Sequence, residues 1–535
     1  MGGERGFNRL TVPTRRPSPD RSNKIKTVDS LQVQDLNGDR RLGQSHPGGG
    51  AQEAAVLSDH METAKLDRVN RSVKYFIKSL KIIALFSENR TVTISPLRSD
   101  HEPEAMPSTL KPTDIFPAGI ANGEYGLPPD RLVTMRSGLG CRLTDTAGCE
   151  YLDFSMAWGS CLVGHAHPAV VRAVTDQAAQ GSNFAYLNTH ALAVAEEIQR
   201  IAPAAERLRF CASGTEATMY CQRLARAVTG RSKILKFEGA YHGANEAGVT
   251  SLFPEGPAAY PAPELTSAGT PAMRDYLLVA PYNDLNAVRE IVSDNAADLA
   301  GIIIEPLQRC TPPKPGFLEG VRVVATEAGA LLIFDEIVTG FRLAYGGAQE
   351  YYGVFPDLVA YGKALGGGYP IGVFAGRADI MEWVSEHRIG GDDYVWMAST
   401  LGGNPISTAA ANAALSVFRE PETYTRLHEL GQYLRAGLTK VLRARDVPAQ
   451  VIGDGPLGQV VFSPEPVYDY RTTRKADPAM GRALMLGLFD RGVFLNPMGT
   501  KLYLSLAHDE AVCDALVDRV DDVLKEIVRS RPDAA

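Results

Sequence analysis

The most constraining feature of this sequence is an apolar run that stops abruptly at two acidic residues. The run Ala330–Phe334 is uninterrupted, and Asp335 and Glu336 follow it directly. Hydrophobicity without alternation over this length predicts a strand buried on both faces, as in a parallel sheet. In α/β folds, ligands bind in the crevice beyond the carboxyl ends of such strands. The two carboxylates are therefore expected at a ligand site.

Further strand-like runs alternate with helical patterns through the middle of the chain. The predicted strands are Arg207–Phe210, Lys233–Phe237, Tyr276–Val279, Gly301–Ile304, Ala330–Phe334 and Leu358–Tyr361. This alternation is typical of an α/β fold with a doubly wound, mostly parallel sheet. A helix rich in small residues, from about Pro405 to Phe418, is predicted to close this large domain.

The two flanks of this region carry the elements of a smaller α+β domain. A turn at Asp145–Gly148 separates two short strand-like runs, and helix–strand alternation resumes after Glu422. We therefore assign the small domain to residues 106–165 and 421–535, and the large domain to residues 166–420.

Residues 1–105 differ in composition from the rest of the chain. They are rich in Arg, Asp, Gly and Ser, which predicts a disordered or poorly ordered extension that cannot fold alone. Within it, Val73–Phe86 has an apolar helical face flanked by lysines. A basic amphipathic helix can lie on a membrane surface. A short helix docked on its own protein, or an untranslated upstream reading frame, is the favoured interpretation.

Bulk properties argue against several classes of function. The net charge of −7 gives no basic footprint for nucleic-acid binding. No stretch approaches the roughly 18 consecutive apolar residues of a membrane span. The seven cysteines are scattered without zinc-site spacing, which indicates reduced thiols in the cytoplasm. We therefore expect a cytoplasmic protein that contacts neither nucleic acid nor a membrane and holds no metal.

The segment after Asp335 contains a lysine in a glycine-rich loop. Lys363 lies between the predicted strand Leu358–Tyr361 and the glycines Gly366–Gly368. Glycines let the backbone approach a bulky ligand, so a lysine among them is accessible from the crevice. An acid at a strand end and such a lysine meet the needs of a pyridoxal phosphate (PLP) site. Lys363 would form a Schiff base with the cofactor, and Asp335 would keep its pyridine nitrogen protonated.

A second loop offers an anion site. Ser213, Gly214 and Thr215 follow the strand Arg207–Phe210 closely and precede a helix predicted at Thr218–Val228. Backbone N–H groups and the positive end of a helix dipole bind phosphate, and the two hydroxyl groups add donors. Taken alone, Ser-Gly-Thr before a helix predicts no more than a helix N-cap.

Several motifs, in the same order, resemble a known family. The motifs are DEIVTGFR at 335–342, GGAQEYYGVFPDL at 346–358, GK at 362–363 followed by GGGYPIG, and STLGGNP at 399–405. They are similar to the class III PLP-dependent aminotransferases, and closest to the glutamate-1-semialdehyde 2,1-aminomutase-like subgroup. The resemblance extends from about Phe116 to about His508. It implies the fold type I of PLP-dependent transferases and a homodimer with shared active sites.

The resemblance also implies roles for individual residues. The catalytic residues would be Lys363, Asp335 and Tyr241, with the Tyr241 ring stacked on the cofactor. The further cofactor-binding residues would be Ser213, Gly214, Thr215, His242, Glu305, Ile337 and, from the partner subunit, Thr400. Trp158 and Tyr125 would belong to the substrate pocket. A simple strand-end acid and a core tryptophan remain equally good interpretations of Glu305 and Trp158.

The sequence departs from the aminomutase pattern at three places. Tyr125 stands where the aminomutases carry an arginine for the substrate carboxylate, and Gln308-Arg309-Cys310 replaces their Gly-Asn. The loop 496–501 lacks their glutamate. Because a missing bidentate clamp changes the substrate class, we favour an aminotransferase acting on small molecules, an amino donor and a keto or aldehyde acceptor. The alternatives are the aminomutase and a non-catalytic scaffold on the same fold. The spare cations for a carboxylate are Arg309, Arg131 and Lys501.

Overall fold

The computed structural model describes residues 111–121, 123, 127–256, 259–266, 269–495 and 500–530. The extension predicted at 1–105, including Val73–Phe86, lies outside the described residues, as do Tyr125 and residues 496–499. Within the described part, every helix is too short or too polar to cross a lipid bilayer.

Fourteen strands and nine helices of eleven or more residues organise the described residues. The strands are β1 Met135–Leu139, β2 Arg142–Asp145, β3 Glu150–Asp153, β4 Arg207–Cys211, β5 Lys233–Phe237, β6 Leu277–Ala280, β7 Leu299–Ile304, β8 Leu331–Asp335, β9 Leu358–Tyr361, β10 Gly372–Gly376, β11 Gln450–Ile452, β12 Leu457–Val461, β13 Val493–Phe494 and β14 Lys501–Tyr503. The helices are α1 Pro168–Ala178, α2 Thr189–Ile201, α3 Gly214–Thr229, α4 Leu285–Asn295, α5 Phe317–Glu327, α6 Pro405–Phe418, α7 Thr423–Ala444, α8 Pro478–Phe489 and α9 Glu510–Ser530.

The central sheet has seven strands in the order β4-β10-β9-β8-β7-β5-β6. Strands β6, β5, β7, β8 and β9 pair in parallel, whereas β10 runs antiparallel to both β9 and β4. The fold class and all six predicted strands are confirmed. The sequence analysis missed β10, because its three central residues are bounded by Gly372 and Gly376 and continue a glycine-rich loop.

Strand β8 is buried on both faces, as its unbroken hydrophobicity predicts. Leu331 and Ile333 pack into the core on the side of α3, whereas Leu332 and Phe334 pack into the core beneath the other helices. Successive side chains of a strand point to opposite faces, so both layers need apolar residues. The sheet therefore lies between helix α3 on one side and helices α2, α4, α5 and α6 on the other.

The two flanks of the chain pair in one sheet and share one core, while their assignment to a separate small domain stays a prediction. Strand β13 pairs in parallel with β3, so that Val493 lies opposite Leu152 in the sheet β1-β2-β3-β13. A second sheet, β11-β12-β14, is antiparallel. Leu152 and Phe154 share one core with side chains of α7, α8 and α9. The residue boundaries assigned to the domains stay a prediction.

The topology brings five strand ends to one edge of the central sheet. Strands β4, β5, β7, β8 and β9 run in the same direction, because β10 is antiparallel to both of its neighbours. The residues at or just beyond these ends include Ser213, Tyr241, Glu305, Asp335 and Lys363. This edge is where α/β proteins bind ligands.

Candidate active site

The predicted anion site lies at the start of helix α3. The helix begins at Gly214, four residues earlier than predicted, because the Ser213 side chain caps it by accepting a hydrogen bond from the Glu216 N–H at 3.2 Å. Gly214 and Thr215 therefore lie in the first turn, where backbone N–H groups have no partner within the helix. A Cβ on Gly214 would come within 2.8 Å of Ile337 Cδ1, so glycine keeps this turn close to the strand β8 loop.

Asp335 is fixed by two donors at the end of β8. Its Oδ2 lies 2.8 Å from His242 Nδ1, and its Oδ1 accepts a hydrogen bond from the Ile337 N–H at 3.1 Å. Asp335 and His242 are both buried. His242, predicted to bind the cofactor, thus contacts the key carboxylate itself. It orients Asp335, and each carboxylate oxygen keeps a lone pair for a further partner.

Lys363 opens a short helical turn, Lys363–Gly366, directly after β9. Its backbone has a φ of +41°, a left-handed conformation that costs free energy for any residue other than glycine. Burial, and to a smaller extent the nearby Arg342 guanidinium, lowers the pKa of the Lys363 amine to about 8, against the opposing effects of Asp335 and Glu305. A lowered pKa makes the free amine more available as a nucleophile and base at neutral pH.

Glu305 positions the loop that carries Tyr241. Its carboxylate accepts hydrogen bonds from the backbone N–H groups of Tyr241, at 2.8 Å, and Arg309, at 3.1 Å. Burial alone would raise the pKa of Glu305, but the positive charge of Arg309 and then His242, together with these N–H groups, lowers it overall. The carboxylate is therefore more than a simple strand-end acid, because it joins two loops of the site.

Tyr241 and Ile337 are the two side chains predicted to enclose the cofactor ring. The Tyr241 ring is 38% exposed, and the Arg309 guanidinium lies 5.6 Å from its centroid. Ile337 packs against the Gly214 turn and lies 3.3 Å from the position of a Cβ on Gly362, the residue before Lys363. Both residues thus border the edge that holds Asp335, as predicted from their places in the chain.

Trp158 lies in a backbone segment that the sequence analysis did not predict. Met156, Ala157, Trp158 and Gly159 all have positive φ values, of 46°, 51°, 58° and 83°. A left-handed turn of this length is costly for L-residues and is typical of functional sites. The partly buried Trp158 is therefore held on a strained turn rather than in a regular core element.

Arg342 borders the candidate site and was not singled out by the sequence analysis. It is fully buried, donates from Nε to the Val338 carbonyl at 2.9 Å, and donates from Nη2 to the Gly159 carbonyl at the end of the left-handed turn. It therefore joins the Trp158 turn to the loop after β8 and places positive charge near Lys363. The sequence feature that could have indicated Arg342 is its position in the DEIVTGFR motif. Its burial could not be predicted, because arginine is usually exposed.

The roles assigned to the site residues stay predictions, and for two of them the structure of the single chain adds little. Thr400 is exposed in the single chain, and its carbonyl accepts a hydrogen bond from Asn183 Nδ2 at 3.1 Å. The neighbouring Ser399 hydroxyl donates to Glu216 of helix α3 at 3.2 Å, which links this segment to the anion site. A contribution of Thr400 to a partner subunit stays a prediction, and Tyr125 lies outside the described residues.

The residues at this edge fit pyridoxal phosphate. The start of α3 offers N–H and hydroxyl donors for the phosphate, Asp335 offers a buried carboxylate for the ring nitrogen, and Lys363 has no acceptor of its own in the described part of the chain. When bound, the cofactor supplies an electron-withdrawing ring that stabilises negative charge at the substrate carbon.

Known proteins are similar to this chain over most of its length. The family model "Aminotransferase class-III" matches residues 128–528. The glutamate-1-semialdehyde 2,1-aminomutase of Thermomicrobium roseum is 39% identical over 422 residues, which are 78% of this chain and 96% of that protein. An omega-transaminase from Sphaerobacter thermophilus has a similar structure, with a TM-score of 0.73 and 32% identity over 77% of this chain and 95% of that one.

A third comparison bears on the cofactor. A transaminase solved with PLP bound has a TM-score of 0.71 and 27% identity, covering 78% of this chain and 96% of the other. The predicted family, fold type and cofactor are thereby confirmed. This chain belongs to the class III aminotransferase family and depends on pyridoxal phosphate.

Proposed function

We propose that this chain transfers an amino group between two separate small molecules, from an amino acid donor to a keto or aldehyde acceptor. The observation that carries the proposal is the place of Arg309. Its guanidinium lies beside the Tyr241 ring, at a position where the resembling aminomutases have Gly-Asn. Tyr125 replaces the aminomutase arginine that binds the substrate carboxylate. A substrate is therefore bound from a different side than in the aminomutases.

The two central residues have distinct chemical roles in this proposal. Lys363 would hold the cofactor through its amine, and when that amine is free its Nζ would accept the substrate's α-proton as a general base. Its depressed pKa suits both steps near neutral pH. Asp335, held by His242, keeps a proton on the ring nitrogen, because a buried carboxylate within hydrogen-bond distance favours the charged form of its partner.

The surrounding residues bind and orient. Ser213, Gly214 and Thr215 would bind the phosphate at the start of α3, while Tyr241 and Ile337 would enclose the ring. Trp158 borders the substrate. We further propose a homodimer in which Thr400 of each chain reaches the phosphate of the other, because its side chain is exposed in the single chain beside a segment tied to α3.

The aminomutase is the second candidate function. It is favoured by the relatives, since proteins named glutamate-1-semialdehyde 2,1-aminomutase are 37–41% identical to this chain. Such an enzyme moves the amino group within one molecule and needs no second substrate. The two candidates share every residue of the cofactor site and differ in how the substrate is held.

Product analysis with the purified holoenzyme tests the proposal. Glutamate 1-semialdehyde is supplied alone in one reaction, and amino donors are paired with keto or aldehyde acceptors in the others. We expect the paired reactions to form the donor's keto acid and the aminated acceptor in equal amounts. Conversion of glutamate 1-semialdehyde to 5-aminolevulinate at a higher rate, without an acceptor, would show that the aminomutase is right.

A further inference from the structure

The lysines of this chain that are not exposed fall into two groups by their hydrogen bonds. The described residues contain five such lysines, namely Lys233, Lys236, Lys363, Lys501 and Lys525. Lys233 pairs with Asn295 and Asp298, and Lys525 with Asp521 and Asp522. The fully buried Lys236 donates to the carbonyls of Ala247, Gly248 and Thr250, at 3.3, 2.9 and 2.7 Å. The fold thus supplies acceptors for the ammonium groups that have structural roles.

Lys363 and Lys501 are the exceptions. Across the described ranges, neither ammonium group has a hydrogen-bond acceptor or a carboxylate within ion-pair distance. Lys363 needs no acceptor within the protein, because its amine is proposed to bind the cofactor. Lys501 and Tyr503 lie on the same face of strand β14, and Tyr503 packs in one cluster with Cys310, the residue after Arg309. The Lys501 side chain is partly buried, and a partly desolvated ammonium group without an acceptor is stabilised by an anionic ligand.

The surroundings of Lys501 carry an excess of positive charge. Burial and then Arg309 lower the pKa of its amine to about 7, with Lys363 adding to this effect, whereas Cys310 and Glu305 oppose it. Glu305 does not neutralise the excess, because its carboxylate already accepts hydrogen bonds from two backbone N–H groups. The nearest Glu305–Arg309 side-chain distance is 3.9 Å, longer than a charge-assisted hydrogen bond.

Arg309 also presents unused donors. Its Nε donates to the Gly239 carbonyl at 3.3 Å, and its guanidinium lies over the Tyr241 ring. In the described part of the molecule, its two terminal nitrogens have no acceptor. The residue has a φ of +61°, so its backbone is held in a conformation that favours glycine. The Nε hydrogen bond and the contact with the Tyr241 ring hold the guanidinium group, while its two terminal nitrogens remain available to a ligand within the described part of the molecule.

We propose that Arg309 and Lys501 together bind a carboxylate group of the substrate. This inference rests on the proposed function and narrows its substrate class to amino acids and keto acids, with simple amines and aldehydes as poor substrates. A guanidinium fork and an ammonium group match the two oxygens of a carboxylate. Arg309 comes from the loop after β7 and Lys501 from strand β14 of the small domain, so the carboxylate bridges the two domains.

Equilibrium binding of an unreactive carboxylate tests the inference without amino transfer. Succinate and its neutral counterpart succinamide are titrated calorimetrically into the holoenzyme, into Lys501→Met and Arg309→Gln, and into Lys440→Met as the matched control. Lys440 is an exposed lysine far along helix α7. We expect succinate to bind the wild type and the control equally, and both site variants roughly 10- to 100-fold more weakly. Succinamide should bind all four proteins weakly.

Thermal unfolding distinguishes a ligand-binding lysine from a structural one. If Lys501 serves to bind a ligand, Lys501→Met should melt at the same temperature as the wild type or higher, because a partly buried charge without an acceptor has been removed. Succinate should raise the melting temperature of the wild type but not of the variant. Lys501→Gln, which keeps polarity, serves as a second folded variant. Wild-type affinity for succinate in either folded Lys501 variant would overturn the inference.

The outcome is separable from that of the proposed function. Efficient aminomutase activity would disprove transfer between separate molecules and leave succinate binding by Arg309 and Lys501 intact. Conversely, unchanged succinate binding in the variants would remove the carboxylate site while amino transfer still proceeds.

Discussion

The two halves of the candidate active site are built in different ways. The proposed cofactor half consists of Ser213–Thr215, Asp335 and Lys363, which lie at or just beyond strand ends of one sheet edge. The proposed substrate half consists of the Trp158 turn, Arg309 and Lys501, which come from three distant segments. Ser213 and Asp335 make hydrogen bonds within the fold, whereas among the described residues the Lys501 ammonium group and the terminal nitrogens of Arg309 have no acceptor.

This difference suggests that the cofactor half determines the reaction and the substrate half determines which molecules react. Residues at strand ends are fixed by the hydrogen-bonded sheet, so the geometry needed for proton transfer is set by the fold itself. Residues on loops and strained turns change without disturbing the sheet, which allows the substrate to vary within one family. Variants of the cofactor half should therefore abolish the reaction, while those of the substrate half should alter which molecules react.

The largest effect is expected for Lys363→Ala. Removing the amine eliminates both the covalent attachment of the cofactor and the proton carrier, so turnover should fall by several orders of magnitude while the fold survives. Initial rates and the visible absorption of lysine-bound cofactor measure this, with Lys440→Ala as the exposed control. Borohydride trapping of the cofactor on a peptide other than the one containing Lys363 would contradict the assignment.

Asp335→Asn should slow the reaction almost as much. The amide cannot keep a proton on the ring nitrogen, so α-proton abstraction should slow by orders of magnitude while cofactor binding weakens modestly. Single-turnover rates with a deuterated donor isolate this step. Asp379→Asn, at an exposed ion pair with Arg377, is the control. A wild-type rate would mean that another group holds the nitrogen.

His242→Leu tests the role of the hydrogen bond between His242 and Asp335. Losing a hydrogen bond to a charged group costs about 1.5–3 kcal/mol, so we expect the rate to fall roughly 10- to 150-fold with little change in KM. His387→Leu, at an exposed position, is the control. An increase in KM alone would place His242 in the substrate half instead.

Mixed dimers test whether the site is shared. Thr400→Val chains are combined with Lys363→Ala chains, so that both lesions fall in one site of the mixed dimer if Thr400 serves the partner. The other site is then intact, and we expect activity well above that of either parent, up to half of the wild type. Stable mixed dimers without any recovery would indicate that Thr400 serves its own chain.

The smallest expected effect concerns pH and Lys501. The pKa of this amine is lowered in the folded protein to about 7 from an ordinary 10.5, so the folded state binds fewer protons and its stability rises with pH between these values. The groups facing it are Arg309, Cys310, Glu305 and Lys363. At pH values below 7, we expect Lys501→Met to melt about 1–3 °C higher than the wild type. This difference in melting temperature should shrink as the pH rises towards 10. A constant difference would show that the amine is not perturbed.

The sequence by itself determined the fold and the cofactor half. Apolar runs without alternation identified four of the seven central strands, because a strand buried on both faces has few polar positions. The strands Arg207–Phe210 and Lys233–Phe237 contain charged residues and were recognised from the alternation of strand and helix patterns. Strand ends and glycine-rich loops then located Asp335, Lys363 and the anion site. Strand β10 was not predicted because a glycine stands at each of its ends. Helix α3 begins four residues before its predicted start, because an N-cap depends on local conformation and not on residue type alone.

The tertiary structure alone decided which charged residues have partners. The sequence does not distinguish Lys236 from Lys501. In the structure, the Lys236 ammonium group donates hydrogen bonds to three backbone carbonyls, whereas the Lys501 ammonium group has no acceptor among the described residues. Likewise, the left-handed turn at Trp158 and its contact with the buried Arg342 arise between segments about 180 residues apart. Burial and hydrogen bonding depend on what other segments bring to a residue, so they appear once the chain has packed.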